Sequence, residues 1–156
     1  MSREYDVVLL GASGFTGALT AEYLTKNAPA DLKWAVAGRN QQKLEPFGKD
    51  VIHADVTDPK SLQALAESTR IVATTVGPYI QYGEPLVAAC ADAGTDYVDL
   101  TGEPEFVDRM YVGYHERAVQ TGARIVHACG FDSIPYDLGV QYTVEQLPER
   151  VPIQVD

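Results

Sequence analysis

The chain has 156 residues, 46% hydrophobic and 22% charged, an ordinary composition for one soluble globular domain. Lys and Arg number 12 against 22 Asp and Glu, a formal charge of −10; nucleic acid and anionic lipid are thus poor partners, since both need a basic footprint. Two cysteines and three histidines fall in no metal-ligand spacing, and no apolar run approaches the ~18–20 residues of a membrane span, so neither a metal nor a transmembrane segment is expected.

The elements alternate along the chain. Val7–Leu10 is a short apolar run ending at Gly11, as in a buried parallel strand. Phe15–Asn27 has helical spacing at Leu19, Tyr23 and Leu24, with Pro29 beyond its end. Trp34–Ala37 is a second strand, a short helix is expected around Gln41–Pro46, and Val51–Ala54 is a third strand. Asp58-Pro59 starts a helix that runs to about Ser68, because proline is pre-set for the first helical position.

Ile71–Val76 is a fourth strand, Glu84–Ala93 a helix, and Tyr97–Leu100 a fifth strand. A helix over Pro104–Gln120, a sixth strand over Arg124–Ala128 and a helix over Pro135–Gln146 complete the series. Six strands alternating with helices predict an α/β fold, a Rossmann-type doubly wound parallel sheet with helices on both faces. Residues 1–147 are expected to form this domain. Residues 148–156, where Val151–Asp156 reads as a further strand, are expected to open a second, truncated substrate domain.

Charge is uneven. Residues 1–60 hold eight acids and seven bases, whereas residues 61–156 hold fourteen acids, five arginines and no lysine. An anionic ligand should therefore prefer the first third. The polar start Met1–Asp6 lacks a signal peptide's apolar stretch, and unpaired cysteines suit a reducing compartment, so a cytoplasmic protein is expected.

The strongest chemical signal is Gly11-Ala12-Ser13-Gly14-Phe15-Thr16-Gly17, between the first strand and first helix. The spacing GxxGxxG varies the GxGxxG dinucleotide fingerprint. One glycine makes the tight turn, one admits the pyrophosphate, and one permits close helix–strand packing. The helix start then offers unpaired N–H groups and partial positive charge to phosphate. No GxxxxGK[ST] loop is present, so nucleoside triphosphate hydrolysis is not expected.

The second strand bears on which dinucleotide binds. An NAD site places an acid about 20 residues past the glycines, yet Leu32–Leu44 holds neither Asp nor Glu. Arg39, Asn40 and Lys43 stand there instead, and a guanidinium can grip a 2′-phosphate through a charge-assisted fork. NADP(H) is the expected cofactor. Asp55 and Val56 are candidates beside the adenine, with Asp55 equally suited to a turn. Val76, Gly77, Pro78 and Tyr79 follow the fourth strand, where backbone must pass close to the cofactor; Tyr79 and Tyr82 flank Gly83 and either cover the nicotinamide half or pack.

The tyrosine–lysine pair of short-chain dehydrogenases is absent, as is a G-x-S-x-G elbow. The candidates for catalytic contact are Asp132, Tyr79 and Glu103. Asp132 and Glu103 are equally suited to cap the helices that follow them, while His115 and His127 read as structural, one mid-helix and one inside a strand.

GASGFTG (Gly11–Gly17), AGRN (Ala37–Asn40), VGPY (Val76–Tyr79), YGEPLV (Tyr82–Val87), YVDLTGE (Tyr97–Glu103), CGFDSIP (Cys129–Pro135) and DLG (Asp137–Gly139) occur together. The combination resembles the NADP-binding N-terminal domain of saccharopine dehydrogenase-like oxidoreductases, including the trans-acting enoyl reductase branch. The resemblance implies a phosphate cradle at Gly11, Ser13, Gly14, Phe15, Thr16 and Gly17, a 2′-phosphate reader at Arg39, and a cofactor-lining turn at Gly77–Tyr79. It implies hydride transfer to or from an imine or enoyl-type small-molecule substrate, with a second domain closing the site. The alternative from another class is an NADP(H)-binding regulatory or sensor protein without turnover. Self-association into a homo-oligomer stays open.

Overall fold

The structure is a computed structural model that describes residues 3–48, 50–148 and 152–154. Six strands, β1 (Tyr5–Leu10), β2 (Trp34–Gly38), β3 (Val51–His53), β4 (Thr69–Thr74), β5 (Asp96–Val98) and β6 (Ile125–Val126), form one sheet in the order β3-β2-β1-β4-β5-β6. Every pairing is parallel. The strand order reverses between β1 and β4, which in such sheets opens a crevice at the carboxyl ends.

The helices are α1 (Phe15–Asn27), α2 (Gln41–Leu44, continued by a 3₁₀ turn at Glu45–Phe47), α3 (Pro59–Ser68), α4 (Tyr79–Tyr82), α5 (Glu84–Ala93), α6 (Pro104–Thr121) and α7 (Ile134–Glu145). The apolar strands divide their side chains by parity, as the two-residue pleat requires. Val8, Leu10, Ala37 and Val72 pack with Leu62, Leu65, Leu86, Val87 and Phe106 from α3, α5 and α6. Leu9 and Val36 pack on the other face with Ala12, Ala21 and Leu44. Helices cover both faces, which is the doubly wound arrangement the alternation predicts.

The boundaries differ from expectation at the crevice. β4 ends at Thr74 rather than Val76, because the Thr74 hydroxyl accepts the Val76 N–H at 3.2 Å and turns the chain off the sheet. β5 stops at Val98 and β6 spans only Ile125–Val126, since the backbone N–H groups of Ala128 and Cys129 donate to Asp99 instead of continuing a ladder. His127 therefore lies just past β6, not inside a strand. The single-turn α4 has no counterpart in the hydrophobic periodicity.

Helix α7 is apolar in composition, and none of its residues is buried. Of the expected closing strand, Pro152–Gln154 form no strand, and Val151, Val155 and Asp156 lie outside the described residues.

Candidate functional site

The glycine turn sits between β1 and α1 at the crevice mouth. Gly11 has φ +99°, and a Cβ there would lie 2.8 Å from both the Thr75 hydroxyl oxygen and the Val76 Cγ2, so only glycine fits. Gly17 is packed harder still, with a Cβ placed 2.1 Å from the Gly11 carbonyl oxygen. Gly14 differs. Its φ of −84° suits any residue, and a Cβ would meet only the Gly11 oxygen at 3.4 Å. The protein's own packing does not demand glycine at 14, whereas a pyrophosphate approaching the backbone there would.

Gly14 caps α1 without a side-chain bond, and among the described residues the N–H groups of Ser13, Phe15, Thr16 and Gly17 have no backbone acceptor. Ser13, Gly14, Phe15 and Thr16 are exposed, while Ala12 is fully buried beneath them. A helix start with unpaired amides, no capping side chain and an open approach has the chemistry to accept an anion.

Arg39 and Asn40 follow β2 at the same edge. Arg39 is exposed and makes no hydrogen bond or ion pair with a described residue, so its fork is available to a 2′-phosphate. The Asn40 side-chain oxygen accepts the Lys43 N–H at 3.2 Å as the cap of α2, which leaves its amide nitrogen for a ligand; the Lys43 side chain is exposed one turn along. Asp55 accepts both the N–H and the hydroxyl of Thr57 at 2.9 and 2.8 Å. These bonds hold its carboxyl below the usual range, with a smaller pull from Arg39. Asp55 is thus a turn former beside the arginine, and Val56 next to it is half-buried against the core.

The segment after β4 presses onto the glycine turn. Thr75 donates its N–H to the Leu10 carbonyl at 3.0 Å and its hydroxyl to the Gly11 carbonyl at 3.3 Å. Gly77 and Pro78 are exposed beyond it, Val76 is half-buried, and the Gly77–Pro78 peptide is cis. Tyr79 then turns inward. It is 5% exposed, its hydroxyl donates to the Thr74 carbonyl at 3.0 Å, and its ring lies 5.9 Å from that of Phe106. Burial pushes its phenol up to about 12. A buried, bonded phenol of that kind is a packing residue, so of the two readings for Tyr79 the inward one is realised. Gly83 is likewise buried, and the place of its missing Cβ is taken by the Phe106 ring at 2.5 Å, which makes it a packing glycine rather than a crevice residue.

Glu103 precedes α6, but its side chain makes no cap bond to that helix. Its two carboxylate oxygens accept the N–H groups of Tyr79 and Ile80 at 2.8 Å each, across 24 and 23 residues of chain. Asp132 is exposed on the loop before α7 and caps nothing; Ser133 occupies the cap position, also without a side-chain bond.

Asp99 organises the later loops; it lies within the YVDLTGE stretch, where sequence reasoning assigns it no role. Its side chain is fully buried, and its carboxylate accepts from Tyr97 Oη at 2.8 Å, His127 Nδ1 at 2.7 Å, Thr101 N at 3.1 Å and Ala128 N at 3.0 Å. Burial alone would raise this carboxyl, yet the bonds from His127, Thr101 and Tyr97 outweigh it and hold the group low. An ionised carboxylate only accepts, so Nδ1 of His127 carries the proton. The readable signal was an acid ending an otherwise apolar strand; its partner, 28 residues on, was not adjacent in any pattern.

The glycine turn, Arg39, Asn40, Asp55 and the 75–78 segment therefore meet along one sheet edge. A separate concavity of about 750 Å³ opens at the opposite edge, beside Tyr5 and Trp34 at the starts of β1 and β2, away from these groups.

Residues 7–126 match the family described as the saccharopine dehydrogenase NADP binding domain. A trans-acting enoyl reductase of Mycobacterium tuberculosis is 51% identical over 147 residues, covering 88% of this chain and 35% of the relative. One from Mycobacterium ulcerans is 47% identical over 156 residues, covering 94% and 37%. The chain thus spans about a third of the length of the curated relatives it matches. Among solved structures, the L-Glu-forming saccharopine dehydrogenase of Saccharomyces cerevisiae superposes with TM-score 0.74 at 23% identity, covering 90% of this chain and 31% of that one. The Citrobacter triphenylmethane reductase solved with NADP(H) gives 0.59 at 22% identity, covering 78% and 48%. The two structures share the fold. The chain belongs to the saccharopine dehydrogenase NADP binding domain family, whose cofactor is NADP(H).

Proposed function

We propose that this chain is the cofactor-binding part of an NADP-dependent oxidoreductase acting on an enoyl-type or imine small-molecule substrate. The observation that carries the cofactor reading is Gly14: a Cβ there would meet only the Gly11 carbonyl oxygen at 3.4 Å, and among the described residues the N–H groups of Ser13, Phe15, Thr16 and Gly17 have no backbone acceptor. The enoyl group is the first substrate to test, because relatives matching most of this chain are named trans-acting enoyl reductases.

When bound, NADP(H) supplies or accepts the hydride, and the protein's part is binding and orientation. Ser13 and the first amides of α1 face the pyrophosphate, and Arg39 with Asn40 and Lys43 face the 2′-phosphate. Val76, Gly77 and Pro78 line the way to the nicotinamide. Asp132, exposed and without a hydrogen bond among the described residues, is the remaining candidate here to meet a substrate or the carboxamide.

Helix α7 is apolar on opposite sides, with Tyr136, Leu138, Val140 and Tyr142 all exposed, which supports a following domain that packs around it and carries substrate groups. We place the protein in the cytoplasm, in keeping with two free cysteines; among the described residues no helix is long and apolar enough to cross a membrane.

The test is NADPH oxidation by the full-length protein with enoyl, imine and carbonyl substrates. Turnover of an enoyl or imine compound is expected. Tight NADPH binding with no turnover in any class would replace the enzyme with a sensor.

A further inference from the structure

We propose that Glu103 is a positioning residue for the cofactor, acting through the 76–79 turn; this rests on the reading of that turn as cofactor-lining. The residue stands at the cap of α6, where Ser, Thr, Asp or Asn is favoured because a short side chain reaches back to the helix amides. Glutamate is too long for that role, and its side chain makes no bond to α6. Its length spans the gap to α4 instead, where one oxygen takes the Tyr79 N–H and the other the Ile80 N–H, both at 2.8 Å.

The clamp is held from behind. The Glu103 N–H donates to the Thr101 hydroxyl at 3.1 Å, and the Thr101 N–H donates to buried Asp99 at 3.1 Å. On the other side, the turn is fixed to β4 by the Tyr79 hydroxyl on the Thr74 carbonyl. The exposed residues between, Gly77 and Pro78, are thereby tied down at their downstream end. At the upstream end Thr75 and Val76 rest on the glycine turn. Glu103 thus sets where the turn stands relative to the phosphate cradle, and both its oxygens are spent on amides rather than on substrate.

Removing the carboxylate frees two amides and lets the turn drift, which weakens the nicotinamide half of the site but not the adenosine half. Glu103→Gln keeps one acceptor and sets an NH2 group against the second amide; Glu103→Ala removes both bonds. The experiment measures binding of NADPH and of 2′-phospho-ADP-ribose, which lacks nicotinamide, to the full chain and each variant. Hydrogen exchange follows the amides of residues 76–80.

The expected result is about a tenfold loss of NADPH affinity in Glu103→Ala and a smaller loss in Glu103→Gln, the scale of losing charge-assisted bonds. Affinity for 2′-phospho-ADP-ribose should change less than about twofold, with faster exchange at Tyr79 and Ile80. Equal loss for both ligands overturns the proposal, because it marks a general structural defect. Unchanged NADPH affinity with the wild-type turn protected by NADPH overturns the role of Glu103 alone. A wild-type turn left unprotected by bound NADPH overturns the underlying reading of the turn. If Glu103→Ala does not fold, the same comparison is made with Glu103→Gln.

Discussion

The Cα of Gly17 faces the carbonyl oxygen of Gly11 so closely that a Cβ would stand 2.1 Å from it, while the same construction at Gly14 meets nothing nearer than 3.4 Å. The two glycines meet different surroundings, one hard against backbone and the other almost open. Gly17→Ala should destabilise the protein by about 3 kcal/mol, the upper part of the overpacking range, because the obstacle is backbone. Gly14→Ala should leave stability within about 1 kcal/mol of wild type and yet weaken NADPH by about tenfold. Thermal melts beside NADPH titrations separate the two; a Gly14→Ala variant with normal NADPH affinity would remove the pyrophosphate from this turn.

Arg39 is exposed just past β2 and makes no hydrogen bond or ion pair among the described residues, and no acid lies between Leu32 and Leu44. Arg39→Ala should cost NADPH binding about 1.5–3 kcal/mol, the range for a hydrogen bond to a charged group. NADH binding should change little. Arg39→Lys should recover part of the loss, since it restores charge without the planar fork. Fluorescence titration with both cofactors reads the ratio, and an unchanged ratio takes the 2′-phosphate away from Arg39.

Asp99 has a carboxyl held below its ordinary value by His127, Thr101 and Tyr97 against the cost of burial. A depressed folded-state value contributes stability above the unfolded value of about 3.9 and loses it as pH falls through the folded one. Melting temperature should therefore drop as pH is lowered below about 4. Asp99→Asn should be less stable at neutral pH by about 1.5–3 kcal/mol, and its acid-induced decline should be shallower. Parallel decline curves for the two proteins would exclude Asp99 as the titrating group.

Cys90 is fully buried on α5, and burial pushes its thiol up to about 12, with Arg3 pulling the other way. Cys129 is half-buried and also raised by burial. Alkylation of the native protein at pH 8 should leave Cys90 unmodified and label Cys129 slowly, whereas denaturant exposes both. Mass spectrometry of timed samples checks this, and rapid native labelling of Cys90 would contradict its placement in the core.

The motif residues that could be read early share one property: their role is set within a few neighbours. The glycine turn needs only the strand before it and the helix after it, so Phe15–Asn27 and its uncapped start follow from local sequence. Arg39 and the missing acid are likewise local to β2. Asp58-Pro59 starts α3 through a bond only two residues long, from the Lys60 N–H to the Asp58 carboxylate. Alternation of apolar runs with helical spacing was enough to order the elements and to place helices on both faces.

What tertiary structure decided lies at contacts of large sequence separation. Glu103 and Asp132 were equivalent by pattern, each an acid before a helix. Only folding shows that Glu103 reaches α4 and that Asp132 caps nothing. By its place after β4, Tyr79 beside Gly83 could equally cover the cofactor or pack; the ring of Phe106, more than 20 residues on, packs against both. Asp99 and His127 lie on separate strand ends and meet only because β5 pairs with β6. Sequence alone determined the glycine turn and the helix start after it, because turns and helix starts are built from adjacent residues. The later loops had to wait for the sheet, because hydrogen bonds between distant strand ends have no local signature.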